Sequence, residues 1–155
     1  MTDIITIRIA ERRDIALLKA VLRETELFPE DMLDEIIAGH LAGTSTDLWC
    51  VTEQSGDVIG FGFAEPERMT DGTWNLLALG VLPGRQGSGA GGAIVRWVED
   101  HLRASGSRLL IVETMGTDAF ASTRAFYEKV GYVQEARIRD FYEAGGDKIV
   151  YWKQL

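Results

Sequence analysis

The stretch of this 155-residue chain best suited to chemistry is Leu79-Gly80-Val81-Leu82-Pro83-Gly84-Arg85-Gln86-Gly87-Ser88-Gly89-Ala90-Gly91-Gly92-Ala93. An apolar strand pattern runs into glycines, and an amphipathic helix pattern follows. The first turn of a helix presents N–H groups without intrahelical acceptors and a partial positive charge. Glycines let the backbone approach a ligand closely and take positive φ. Together these predict a site for a phosphate or another anion. A tight turn whose glycines serve packing alone is the bland alternative. Gly87-Ser88-Gly89-Ala90-Gly91-Gly92 also matches the dinucleotide fingerprint G-x-G-x-x-G, and Glu113 follows about twenty residues later as that motif asks. Against it, Pro83 to Gln86 separate the strand from the first glycine, and too little chain follows for a six-stranded dinucleotide fold. The serine within Gln86-Gly87-Ser88-Gly89 is not in the G-x-S-x-G elbow of a hydrolase. His40 and His101 lack partners at metal-binding spacing, so no metal site is expected.

The elements that must position this turn read as follows. Ile5, Ile7 and Ile9 alternate as a half-buried strand. Ile15, Leu18 and Leu22 mark a helix, and a second, opened at Pro29, carries Met32, Leu33, Ile36, Ile37 and Leu41 before Gly43. Strands over 48–53 and 58–64 flank the turn Ser55-Gly56-Asp57. A strand over 73–82 shows little alternation and is expected to be covered on both faces. A helix over 88–104, with Ile94, Val95, Val98 and Leu102 buried, ends at Gly106. A buried strand over 108–113, a helix over 121–130 and strands over 132–140 and 148–152 complete the order β-α-α-β-β-β-α-β-α-β-β. This is an α/β (α+β) chain with a mixed sheet and one clear crossover, and it is expected to be a single domain over residues 1–155.

Val81-x-Pro83-x-x-Gln86-x-x-Gly89-x-Gly91 at a strand–turn–helix junction resembles the hallmark of the GNAT superfamily of acyl-CoA-dependent N-acyltransferases. Thr123-Arg124-Ala125-Phe126-Tyr127-Glu128-Lys129-Val130-Gly131-Tyr132 looks like its second marker, and the element order agrees over essentially the whole chain. The resemblance implies a mixed, mostly antiparallel sheet with helices on both faces. It implies acetyl-CoA as co-substrate, its pyrophosphate held by N–H groups of Gln86, Gly87, Ser88, Gly89, Ala90 and Gly91. Its pantetheine arm would pair with Leu79, Gly80 and Val81, Gly80 suiting a bulge. The implied reaction is direct attack of a primary amine on a thioester, with an N–H near Leu79 to Val81 stabilising the oxyanion. Tyr127 matches the general acid that protonates the leaving thiolate. The sequence departs from the pattern at Phe120, where the family often has Asn, leaving Ser122 or Thr123 for that pantetheine contact. Asn75 stands where many members carry an acidic base. Glu113, at the end of its strand and also readable as a surface carboxylate, is therefore the base candidate, with Glu65 second. A non-catalytic coenzyme A-binding domain and a peptide or protein N-acetyltransferase remain alternatives. Homodimerisation is common in the family, and nothing in the sequence fixes it.

Composition narrows the partner. Sixteen basic against 24 acidic residues give −8 and a pI near 4.8, which disfavours nucleic acid. Residues 1–77 hold 6 basic and 15 acidic side chains (−9), whereas residues 78–155 hold 10 and 9 (+1). The half with the predicted coenzyme A turn is thus close to neutral. The excess is densest at Glu24, Glu26, Glu30, Asp31, Asp34 and Glu35, either a solvated helical face or a lure for a cationic small-molecule acceptor. Trp74 and Phe28 are candidate lining for an acceptor pocket. One cysteine, Cys50, no apolar run of membrane length and no secretory pattern at Met1-Thr2-Asp3-Ile4 fit a cytoplasmic protein without membrane attachment.

Overall fold

The computed structural model describes residues 4–155; Met1-Thr2-Asp3, part of the stretch read for a secretory pattern, lie outside them. The chain forms a seven-stranded sheet of order β1-β2-β3-β4-β5-β7-β6, an α/β architecture with one parallel pair at the β4–β5 crossover. It divides into two compact units, one running to Glu65 and including Leu77–Asp100, the other comprising Pro66–Leu76 and His101–Leu155. Among the described residues no helix is long and apolar enough to cross a membrane.

In the first unit, β1 (Ile5–Ile9) pairs antiparallel with β2 (Leu48–Gln54), and β2 with β3 (Asp57–Pro66). Ser55 and Gly56 both take positive φ, 54° and 84°, the combination that matches a two-residue hairpin to strand twist. Helix α1 (Ile15–Thr25) buries Leu18, Val21 and Leu22, and α2 (Leu33–Ala42) buries Leu33 and Ile37. These side chains share one core with Trp49, Val51, Phe61, Phe63 and Ala78, and Trp49 stacks on Phe63 at 4.1 Å between centroids. A single turn of 3-10 helix, Glu30–Met32, separates Pro29 from α2, so the proline precedes a tighter turn instead of the α-helix itself. Helix α3 (Ala90–Ala104) lies on β3 at Gly62, where an added Cβ would come within 2.8 Å of Ile94. Ile94, Val95, Val98 and Leu102 are buried as the helical spacing demands.

In the second unit, the first half of β4 (Thr73–Val81) runs parallel to β5 (Leu109–Met115), in register from Thr73 opposite Leu109 to Leu76 opposite Val112. Strand β5 pairs antiparallel with β7 (Gly146–Gln154), and β7 with β6 (Val133–Glu143). Helix α4 (Ala121–Lys129) connects β5 to β6 and ends before Gly131, at φ 100°. Three expectations shift here. Strand β5 continues two residues past Glu113, because its ladder with β7 extends to Met115 opposite Lys148, so Glu113 is inside the strand and not at its end. Strands β6 and β7 run closer together in sequence, turning at Ala144-Gly145, with Gly145 at φ 79°. Strand β4 is covered on both faces except at Leu77, which is 44% exposed.

Candidate active site

The turn after β4 is built by its own side chains. Leu82 N–H donates to Ile59 O at 2.8 Å, fixing the end of the strand against β3. The Gln86 side-chain amide reaches back to Val81 O at 3.1 Å, and Ser88 Oγ donates to Arg85 O at 2.6 Å. Arg85 donates to Gln54 Oε1 at 2.7 Å, anchoring the turn to β2. Gly87 and Gly89 have φ of 83° and 88°, a region costly to residues with a Cβ. These two positive φ values hold residues 86–89 out of the helix, which starts at Ala90, two residues later than the spacing predicts. The helical bond of Ala93 N–H to Gly89 O, at 3.0 Å, opens the ladder. The N–H groups of Ala90, Gly91 and Gly92 therefore have no acceptor within the helix and point out of its N-terminus. Gln86, Gly87, Ser88 and Gly89 are exposed, so an anion can reach the turn. The donor set fits a pyrophosphate.

Leu79, Gly80 and Val81 lead directly into this turn. At Gly80 the sequence answers a demand for space: a Cβ would stand 2.8 Å from Leu27 Cδ1 and 3.1 Å from Phe61 Cε1. Gly60, on β3, faces it so closely that its own Cβ would lie 2.6 Å from Gly80 O. In the same unit a concavity of about 300 Å³ is lined by Leu22, Arg23, Glu26, Phe28, Pro29 and Glu30. Phe28 does line a cavity, then, and part of the acidic run around it is paired. Arg23 makes two bonds to Glu30, at 2.7 and 2.9 Å, and Lys19 bonds Asp34 at 2.7 Å.

The second unit assembles carboxylate chemistry from residues far apart in sequence. Glu113 Oε2 lies 2.7 Å from Lys148 Nζ on β7. Its Oε1 accepts from Asn75 Nδ2 at 3.1 Å, and the same amide nitrogen donates to Glu67 Oε1 at 2.9 Å. Asn75 is 3% exposed, and its Oδ1 is buried without a hydrogen-bond partner. Lys148 Nζ also sits over the Phe141 ring, 4.2 Å from its centroid, and Phe141 packs edge-on against Tyr142. Burial and the nearby Glu113 charge push the Tyr142 hydroxyl above its ordinary value. Asn75 stands where the family resemblance expects an acidic base; in the structure it is the amide that joins two carboxylates. Glu67 and Lys148 were not singled out, because nothing local distinguishes them from surface charges. Glu65 stays on β3 in the first unit, half-buried.

Tyr127 is 5% exposed, and its ring lies 5.9 Å from Tyr132 and 6.2 Å from Tyr151. Burial raises its hydroxyl well above the usual tyrosine value, so it carries its proton at neutral pH. Ser122 is exposed in the first turn of α4, and Phe120 precedes that helix at 39% exposure. Arg124, missed by sequence reading, ties α4 to the segment after β5 by donating to Met115 O and Thr117 O at 2.8 and 2.7 Å. Cys50 is fully buried, and its thiol is pushed up to about 12, consistent with an inert core residue. His40 is spent on a bond between Nε2 and Ala10 O at 2.9 Å.

The acetyltransferase (GNAT) family model matches residues 14–132, which contain the turn, Glu113 and Tyr127. The chain belongs to the GNAT acetyltransferases. Members of this family carry out acetyl-CoA-dependent acetyl transfer to amine acceptors. A GNAT-family acetyltransferase structure from Desulfovibrio desulfuricans is 32% identical, covers 97% of this chain and 99% of its own, and superposes with a TM-score of 0.87. The fold is shared with the ribosomal-protein-S18-alanine N-acetyltransferase of Escherichia coli (20% identity, 97% and 94% coverage, TM-score 0.77). It is shared equally with an aminoglycoside 6'-N-acetyltransferase complexed with coenzyme A (19% identity, 96% of each chain, TM-score 0.80). No curated protein sequence matches the chain significantly.

Proposed function

We propose that this GNAT chain transfers the acetyl group of acetyl-CoA directly to the primary amine of a small cationic acceptor. The observation that carries the amine assignment is Glu113, a carboxylate that already holds an ammonium group at 2.7 Å. Coenzyme A, when bound, would be held at its pyrophosphate by N–H groups from Gln86 to Gly91 and along its pantetheine arm by Leu79, Gly80 and Val81, with Ser122 as a further contact. Acetyl-CoA supplies an activated thioester. Glu113 takes a proton from the incoming ammonium, because only the neutral amine has a free lone pair. A backbone N–H of the Leu79–Val81 segment stabilises the oxyanion. Tyr127, protonated at neutral pH, donates to the departing sulfur. The structural relatives act on a ribosomal protein and on an aminoglycoside, so the choice of a small molecule rests on this chain's own residues. The cavity at Phe28, about 300 Å³, has the scale of a small ligand, and Glu26 at its wall gives it a cation preference.

Isothermal titration with acetyl-CoA, then a thiol-release assay over amines, amino acids and basic peptides, tests the reading. Binding in the micromolar range and turnover confined to small amines are expected. Absence of coenzyme A binding would overturn it, and turnover confined to peptides would move the acceptor class. A second reading, a non-catalytic coenzyme A-binding domain, is favoured by one observation. Asn75 stands where many relatives carry a carboxylate, and the remaining base is tied to Lys148. It predicts binding without turnover.

A further inference from the structure

If Glu113 deprotonates the acceptor, the reacting amine stands within hydrogen-bond distance of that carboxylate in the productive complex. One amine of this chain is already there. Lys148 Nζ lies 2.7 Å from Glu113 Oε2, and its side chain is only 14% exposed. The Phe141 ring covers it at 4.2 Å, so carboxylate and aromatic face together form the kind of seat that recognises an ammonium group. Glu113 cannot easily swing away, because Asn75 holds its other oxygen, and Asn75 is itself buried and bonded to Glu67. The remaining lysines have different surroundings. Lys19 is paired with Asp34, Lys129 is exposed on α4, and Lys153 donates to Val130 O.

We propose that Lys148 occupies the acceptor's seat and is itself a modification site: the enzyme acetylates its own Lys148 when no external amine displaces it. This rests on the assignment of Glu113 as base. The lysine ammonium passes one proton to Glu113, which returns it to solvent. The freed Nζ lone pair forms the new C–N bond at the acetyl carbonyl carbon. The C–S bond breaks with its electron pair on sulfur, and the nitrogen's second proton balances the one that the thiolate receives. Acetyl-lysine, coenzyme A and one released proton are the products. Acetylation removes the positive charge, so the modified side chain no longer neutralises Glu113. The seat is then vacated electrostatically, and self-modification converts a blocked base into one open to an external ammonium.

The full chain incubated with acetyl-CoA alone, followed by peptide mass mapping of its four lysines, tests this. Uncatalysed acetylation follows exposure and would favour Lys129. Self-acetylation reverses that order, with Lys148 modified about tenfold faster or more. The rate per molecule should not change with protein concentration, and Glu113→Gln should bring Lys148 down to the rate of Lys129. Lys148→Arg keeps a cation between Glu113 and Phe141 and serves as the folded control, with no lysine modified above background. Lys148 left unmodified by a protein that binds acetyl-CoA and acetylates an external amine overturns the inference and leaves the proposed function standing. So does a rate rising in proportion to protein concentration. Amine turnover left unchanged by Glu113→Gln overturns the base assignment, and failure to bind acetyl-CoA overturns both.

Discussion

Burial decides the protonation state of Tyr127. With its ring enclosed by Tyr132, Tyr151 and Phe126, the phenolate is poorly solvated, and the hydroxyl is displaced above the ordinary value of about 10. A raised value keeps the acid form populated through the whole physiological range. Activity that depends on this proton should therefore show no alkaline decline below about pH 10 from tyrosine ionisation. Tyr127→Phe should lower kcat by about 10²-fold while the acetyl-CoA Kd, read by titration, moves less than twofold. An unchanged kcat would remove Tyr127 from the reaction. Asn75 makes a second residue-scale case. Its side-chain amide serves two carboxylates at once, so Asn75→Ala leaves Glu67 and Glu113 each short of a donor. That should cost about 1–3 kcal/mol of stability, and kcat should fall more than the acceptor KM rises. Thermal melts and steady-state kinetics check the two halves separately.

At the scale of elements, the turn between β4 and α3 was legible in the sequence because its information is local: Pro83, Gln86, Gly87 and Gly89 fall within a few residues of one another. Its φ values carry a prediction. Gly89→Ala forces a Cβ into φ 88°, where space is open but backbone conformation is not, at a cost of about 1–3 kcal/mol. A turn relaxed out of that conformation misaligns its N–H groups, so the coenzyme A Kd should rise about tenfold, with kcat at saturation little changed; titration gives the first and kinetics the second. The carboxylate cluster was only half legible. Asn75, Glu113 and Lys148 meet because β4 and β5 are parallel and β5 pairs with β7, and no local periodicity announces pairings across more than thirty residues. Asp14 is the local counterpart, receiving two bonds from Arg8 at 2.8 Å and one from Glu11 N–H at 2.7 Å, at 2% exposure. The Arg8 bonds hold its carboxyl below the usual range. Its contribution to stability is thus complete above the unfolded value of about 3.9 and is lost as pH falls through the lower native value. Asp14→Asn should cost about 2 kcal/mol at pH 7 and flatten the acid limb of a melting profile below pH ~4, where wild type and variant converge.

For the whole molecule, net charge is divided along the chain, and the structure refines what that division can do. Of the six acidic residues densest around α1 and α2, Glu30 and Asp34 are matched by Arg23 and Lys19. Glu24, Glu26, Asp31 and Glu35 are exposed, and Glu26 also lines the Phe28 cavity. Exposed charges steer more than they bind: they raise the local concentration of a cation over roughly one Debye length, about 10 Å at 0.1 M salt. A steering role and a merely solvated face make different predictions. Glu24→Gln, Asp31→Asn and Glu35→Gln combined remove three negative charges that neither line the cavity nor touch Glu113, so kcat should stay within twofold of wild type. For a cationic amine, KM should rise about threefold at low ionic strength, and the difference should vanish above about 0.5 M salt as screening shortens. A neutral amine acceptor should show no KM change at any salt. Equal KM values for wild type and triple variant toward the cation at low salt would reduce the acidic helices to a solvated surface. The acceptor preference would then rest on the Phe28 cavity and the Glu113 seat, both of which the triple variant leaves intact.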